Sequence, residues 1–189
     1  MQTFVTHADE NPMLATLLTV EQLDSQRLGK QRVEAKQIYS ALSTGFGWVH
    51  HPATKMWTGH LEALALYGHT VCSEWIKRGF EDSLRDWFLE HFVTDATGPG
   101  PAKWPWWVGH PKMVATHRNK LYWKNPVYYG KFFDGVQFAH YPYLWPDPLR
   151  PHVFTISNAE YRRGGFDVPP DWEIDSNTRE VTFHDNARA

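Results

Sequence analysis

Gln26–Ile38 reads QRLGKQRVEAKQI. It sets Glu34 among Arg27, Lys30, Arg32 and Lys36, one carboxylate among four cations, on a segment that reads as helix. Such a cluster suits a site that grips an anionic polymer and performs acid–base chemistry on it, and nucleic acid is the obvious polymer. The bland alternative is an exposed face on which Glu34 only pairs with Lys30 at i,i−4 spacing, worth about 0.2–0.5 kcal/mol.

Working outward, Asn11-Pro12 reads as an N-cap with Pro at the first helical position, opening a short helix through Leu18. Thr19 is then placed to cap a long helix from about Val20 to Leu42, with Gly29 as a possible kink. STGFGWVHHP forms a loop. A second long helix is expected over Thr54–Arg78, with Gly79 just past its end, and a third over Ser83–Phe92. TDATGPGPAKWPWW reads as a loop, Pro111–Lys124 as a helix ended by Asn125-Pro126, and the aromatic, Pro-rich run from Tyr128 to Pro148 as irregular. Near the end, Trp172–Ile174 and Glu180–Phe183 fit a hairpin around Asp175-Ser176-Asn177-Thr178. The expectation is a mainly α, compact helical unit over residues 1–133, with residues 134–189 as an irregular and β-hairpin extension packed on it.

A chain of 189 residues with 42% hydrophobic and 21% charged residues has material for one real core. Cys72 is the only cysteine, which excludes an intrachain disulfide and a Cys-based zinc site. No apolar run suits a membrane span and the N-terminus lacks signal-peptide character, so a cytoplasmic protein without membrane partners is expected. The formal net charge is −2, but its distribution matters more. Gln26–Phe80 carries seven Lys/Arg against three Glu, and Pro101–Phe133 carries six Lys/Arg and no acid. Asp134–Ala189 carries nine acids and five bases, so an acidic tail masks two basic segments in the total.

Three stretches carry a resemblance. LDSQRLGKQRVEA, TGHLEALALYGHTVCSEWIKRGF and HRNKLYWKNPVYYGKFF occur in the order and at the spacing of the pyrimidine-dimer DNA glycosylases with AP-lyase activity, the phage endonuclease V type. The chain also resembles a group of small actinobacterial proteins that share GW-x-x-HP and GH-x-x-AL patterns, as a distant branch. The resemblance spans roughly Leu23 to Phe133, and its register puts the family's catalytic glutamate on Glu34.

What the resemblance implies is a glycosylase that extrudes a nucleotide of double-stranded, damaged or modified DNA. An amine attacks the sugar C1′, forms an imine and cuts the strand by β-elimination. An amine nucleophile needs its free-base form, and an α-amino group with a reference pKa of about 7.7–8.0 is better placed than a lysine near about 10.4. Position two is Gln2, too bulky for the usual removal of Met1. Either Met1 supplies the amine or the terminus is not catalytic, with Lys30 as a fallback. Arg27, Lys30, Arg32, Arg118, Lys120, Lys124 and Lys131 are candidate phosphate contacts. His51 and His110, each before a proline, together with Tyr128 and Tyr129, are candidate pocket residues, while Trp48 and Trp57 are aromatics that either stack on bases or fill the core. Nothing calls for a metal or an organic cofactor. Two other readings fit the same residues: an enzyme that processes a modified base or nucleoside without strand cleavage, and a non-catalytic DNA-binding module.

Overall fold

The structure is a computed structural model that describes residues 1–95, 102–135 and 139–184. Eight helices occur among them: α1 (Pro12–Gln22), α2 (Ser25–Thr44), α3 (Pro52–Lys55), α4 (Leu61–Lys77), α5 (Arg85–Asp95), α6 (Pro111–Lys124), α7 (Pro126–Tyr129) and α8 (Asn158–Arg163). Four short strands, β1 (Trp145–Pro146), β2 (Phe154–Thr155), β3 (Trp172–Ile174) and β4 (Glu180–Phe183), form an antiparallel sheet in the order β1-β2-β4-β3. The fold is therefore mainly α with a small C-terminal sheet, as the sequence predicts. No helix among the described residues is long and apolar enough to cross a membrane.

The N-terminal segment positions everything else. Thr3, Val5 and Thr6 are fully buried although no strand pairs with them. A buried backbone must still find partners, and here side chains supply them. Phe4 N–H donates to Gln31 Oε1 (3.0 Å), Val5 N–H to His117 Nδ1 (2.9 Å) and Thr6 N–H to Thr19 Oγ1 (2.8 Å). The segment is thus sewn to α2, α6 and α1. Trp57 and Trp107 lie beneath it edge to face at 5.0 Å, and Trp57 Nε1–H donates to Thr3 Oγ1. Both are core residues.

The helix boundaries differ from the expected ones in one instructive place. The chain breaks at Leu23–Asp24, where a continuous helix from Val20 was expected. The Asp24 carboxylate accepts from Arg27 N–H and caps α2, while Asp24 N–H donates to the hydroxyl of buried Tyr129. The guanidinium of Arg78 closes the other side of the break, donating to the carbonyls of Val20, Glu21 and Leu23. Tertiary partners thus stop α1, in a stretch with no Gly or Pro. α2 runs unbroken through Gly29, where the Trp75 ring lies so close that an added Cβ would meet it at 3.1 Å. The expected helix from Thr54 is likewise two helices, α3 and α4, separated by Gly59 at φ 81°. Gly79 ends α4 at φ 88°, with Gly79 N–H on Ile76 O and Phe80 N–H on Trp75 O, a paired closure of the last turn.

The expected hairpin is present with the register Trp172↔Phe183, Glu173↔Thr182 and Ile174↔Val181. Asp175 Oδ1 accepts from Asn177 and Thr178 N–H and makes its turn. β1 and β2 extend it into a sheet, an addition the sequence did not signal. Part of the expected loop before Trp104, and Val136–Phe138 in the aromatic run, lie outside the described residues.

Candidate active site

Glu34 sits one turn beyond Gln31 on α2, so both side chains lie on one face of the helix. Gln31 is fully buried and has every polar atom engaged. Its Oε1 accepts from Phe4 N–H and from the Tyr67 hydroxyl (2.7 Å), while its Nε2 donates to Gln2 O (2.7 Å) and Glu34 Oε2 (3.2 Å). Glu34 Oε2 also accepts the backbone N–H of Gln2 at 3.1 Å. Both hydrogen bonds that Glu34 accepts from described residues fall on Oε2, so Oε1 is the oxygen available to a ligand.

Gln2 is held from three sides. Its backbone meets Glu34 and Gln31, and its carboxamide abuts His117 Nε2 on α6. Burial drives the His117 pKa down from 6.5 to about 4, so the ring is neutral where the protein is folded at neutral pH. The unfolded chain takes up this proton first, so between pH 6.5 and about 4 unfolding binds a proton that folding excludes. Stability contributed by neutral His117 is complete above pH 6.5 and is lost as pH falls through that window, by a total on the order of 3 kcal/mol. Urea midpoints measured at pH 7 and pH 4.5 should differ accordingly, and His117→Asn should flatten the difference.

Met1, Gln2, Gln31 and Glu34 line a cavity of about 850 Å³, within the usual range for ligand sites. Arg27 and Lys30 from α2, and Lys120, Trp123 and Lys124 from α6, form one wall. The two basic segments of the sequence meet there, where Arg27 donates to Lys124 O at 3.1 Å. The ammonium of Lys124 is held below the ordinary lysine value, first by desolvation and then by the charges of Arg27 and Lys30, with Glu34 acting in the opposite sense. His51 enters from the N-cap of α3. Its Nδ1 accepts Ala53 N–H, so the neutral ring carries its proton on Nε2. Its pKa is lowered, first by burial and then by the nearby N-terminal ammonium.

The opposite wall comes from the C-terminal region: His140, Tyr143, Trp145, Glu160, Arg163 and Phe166. Lys120 joins the walls. Its ammonium, with the side chain only 8% exposed, donates to Glu160 Oε1 at 3.0 Å and lies 4.8 Å above the Tyr143 ring. Glu160 in turn accepts Tyr143 N–H on both oxygens. Lys120, expected as a phosphate contact, is instead a buried strut between α6 and the extension.

The cavity gathers Met1, Glu34, Arg27, Lys30, Lys120, Lys124 and His51 from the residues the sequence singled out, and does not gather the rest. Arg32 is ion-paired with Asp82, the residue that caps the start of α5, and its guanidinium stacks 4.8 Å from the Trp75 ring. Arg118 donates to Thr6 O and lies over Phe133. Lys131 is exposed and lines no part of the cavity. His110 caps α6 just as His51 caps α3, but it packs among Trp106, His152 and Phe154. Tyr129 is core, bonded to Asp24, and Tyr128 packs on it. Sequence reading missed Gln31, whose signal was a glutamine one turn before the glutamate, and it missed the whole C-terminal wall. No group of His, Cys, Asp and Glu able to hold a metal occurs among the described residues.

No curated protein and no solved structure matches the chain. A family model does match, over residues 1–87, the region that supplies Met1, Gln31, Glu34 and His51. The matching model is that of the pyrimidine dimer DNA glycosylases, and it is to this family that residues 1–87 are similar.

Proposed function

We propose that the protein is a DNA glycosylase with an associated AP-lyase step on damaged or modified pyrimidines of duplex DNA, acting on a nucleotide extruded into the cavity. The observation that carries the proposal is the convergence of the chain's N-terminus and Glu34 in one cation-walled cavity. In this reading the Met1 amine attacks C1′ as the C1′–N bond to the base breaks and the base leaves with the bonding pair. The Glu34 carboxylate stabilises the cationic sugar during that step. Loss of the amine proton and ring opening give the imine. Removal of a C2′ proton then expels the 3′ phosphate by β-elimination. Arg27, Lys30 and Lys124 hold the flanking phosphates, and Gln31 positions Glu34 through Oε2. Residues 1–133 form the helical catalytic unit in this account, and residues 134–189 close the cavity over the base.

The test is incubation with duplexes carrying a cyclobutane dimer, an abasic site or an oxidised pyrimidine. Strand scission at the lesion, with affinity falling linearly against log salt, is expected. Intact strands and free base absent from all three would contradict it. One observation favours a second reading, base removal without strand cleavage. The nitrogen on Glu34 is the peptide N–H of Gln2 rather than a free amine. That reading predicts free base and an uncut abasic strand.

A further inference from the structure

Between α2 and α3 the loop Gly45–His51 presents two large aromatics to solvent. Phe46 is 81% exposed and Trp48 is 60% exposed. Burying such side chains is the usual outcome, so two bare rings within three residues ask for an occupant. The loop is held in shape rather than loose. Gly45 N–H bonds Ala41 O, Phe46 N–H bonds Thr44 Oγ1, and Trp48 O accepts His51 N–H. Gly45 and Gly47 supply positive φ angles of 74° and 83° on either side of Phe46, a backbone conformation that glycine adopts without steric cost. Neither aromatic props up the core, since neither packs with its buried cluster.

The root of this loop is part of the cavity. Trp48 stands edge-on to His51, and His51 stands edge-on to Trp145. His51 and Trp145 both line the cavity that holds Met1 and Glu34. An aromatic row therefore runs from exposed Trp48 through His51 to Trp145 on the wall of the site. The cations that line this cavity, Arg27, Lys30, Lys124 and Arg163, match a polyanion and argue against an apolar protein partner.

We infer that Phe46 and Trp48 form a wedge that enters the base stack of duplex DNA and fills the gap left when a nucleotide swings into the cavity. Apolar wedges offset the unstacking of a base step, and extrusion from an intact duplex needs such compensation most. The inference rests on the DNA reading above but names a part of the molecule that reading does not require.

The experiment compares the wild type with Phe46→Ala/Trp48→Ala and with the conservative Trp48→Phe. Substrates carry one abasic site or lesion, either in a fully paired duplex or in an unpaired bulge. The double variant should lose roughly 10- to 100-fold in rate on the paired duplex and little on the bulge, with Trp48→Phe close to wild type. Equal losses on both substrates, or no loss on either, overturn the wedge. A second readout is independent of turnover: 2-aminopurine beside a tetrahydrofuran abasic analogue in an uncleavable duplex. Wild-type protein should brighten it and the double variant should not. Brightening without turnover on any substrate supports the wedge and sinks the glycosylase reading. An unchanged signal with wild-type protein overturns the wedge whatever the turnover.

Discussion

Replacing Glu34 with Gln lowers turnover on lesion-bearing duplex by roughly 10²- to 10⁴-fold, while duplex affinity stays within about twofold. The size follows from what is removed. The variant keeps an oxygen to accept Gln2 N–H, so the N-terminal segment stays docked, but the negative charge that the proposed mechanism sets against a developing sugar cation is gone. Thermal midpoints of the two proteins should therefore agree closely. Gel-shift affinity and single-turnover rates check the two halves separately. Undiminished turnover in the variant removes Glu34 from the chemistry.

The second large effect concerns the terminus. A residue appended ahead of Met1 and left uncleaved moves the α-amino group away from Glu34 and places a peptide bond where the amine stood. Strand scission at an abasic site should fall to background, while binding, for which the cavity cations Arg27, Lys30 and Lys124 are the proposed contacts, should stay intact. The pocket is sensitive to this change because residue 2 cannot retreat: it is only 5% exposed and bonded to Glu34, Gln31 and His117. Scission that survives the extension assigns the amine to another group, and Lys124, the cavity lysine with a lowered pKa, is then the residue to replace.

Local signals in the sequence carried the features that local chemistry decides. Pro111 and Asn125-Pro126 bound α6 as read, because a proline fixes a helix start and Asn125 caps the next turn. The hairpin at Asp175 was legible because its turn is closed by its own carboxylate. The α1–α2 break was not legible, because Asp24 caps α2 only with Tyr129 and Arg78 brought in from about 100 and 55 positions away. β1 and β2 have two residues each, too few for any periodic pattern.

The site divides the same way. Glu34 and its cations are close in sequence and were found together. Arg32 belongs to the same cluster yet faces Asp82 and Trp75, a difference that only packing decides. His51 and His110 make the comparison sharper. Both precede a proline, both cap a helix through Nδ1, and only their neighbours put one in the cavity and the other among aromatics. The tail, read from its acidic composition, contributes Glu160 as the partner of Lys120 and a set of aromatics as a wall. Composition records charge, and it does not record which side of a cavity the charge will face.

Sodium borohydride reduction of the protein mixed with an abasic duplex, followed by peptide mapping, probes the shared cavity of amine and carboxylate most directly. A covalent protein–DNA adduct carried on Met1 is the predicted result. Strand scission with no trapped adduct, or an adduct confined to a lysine outside the cavity, contradicts it.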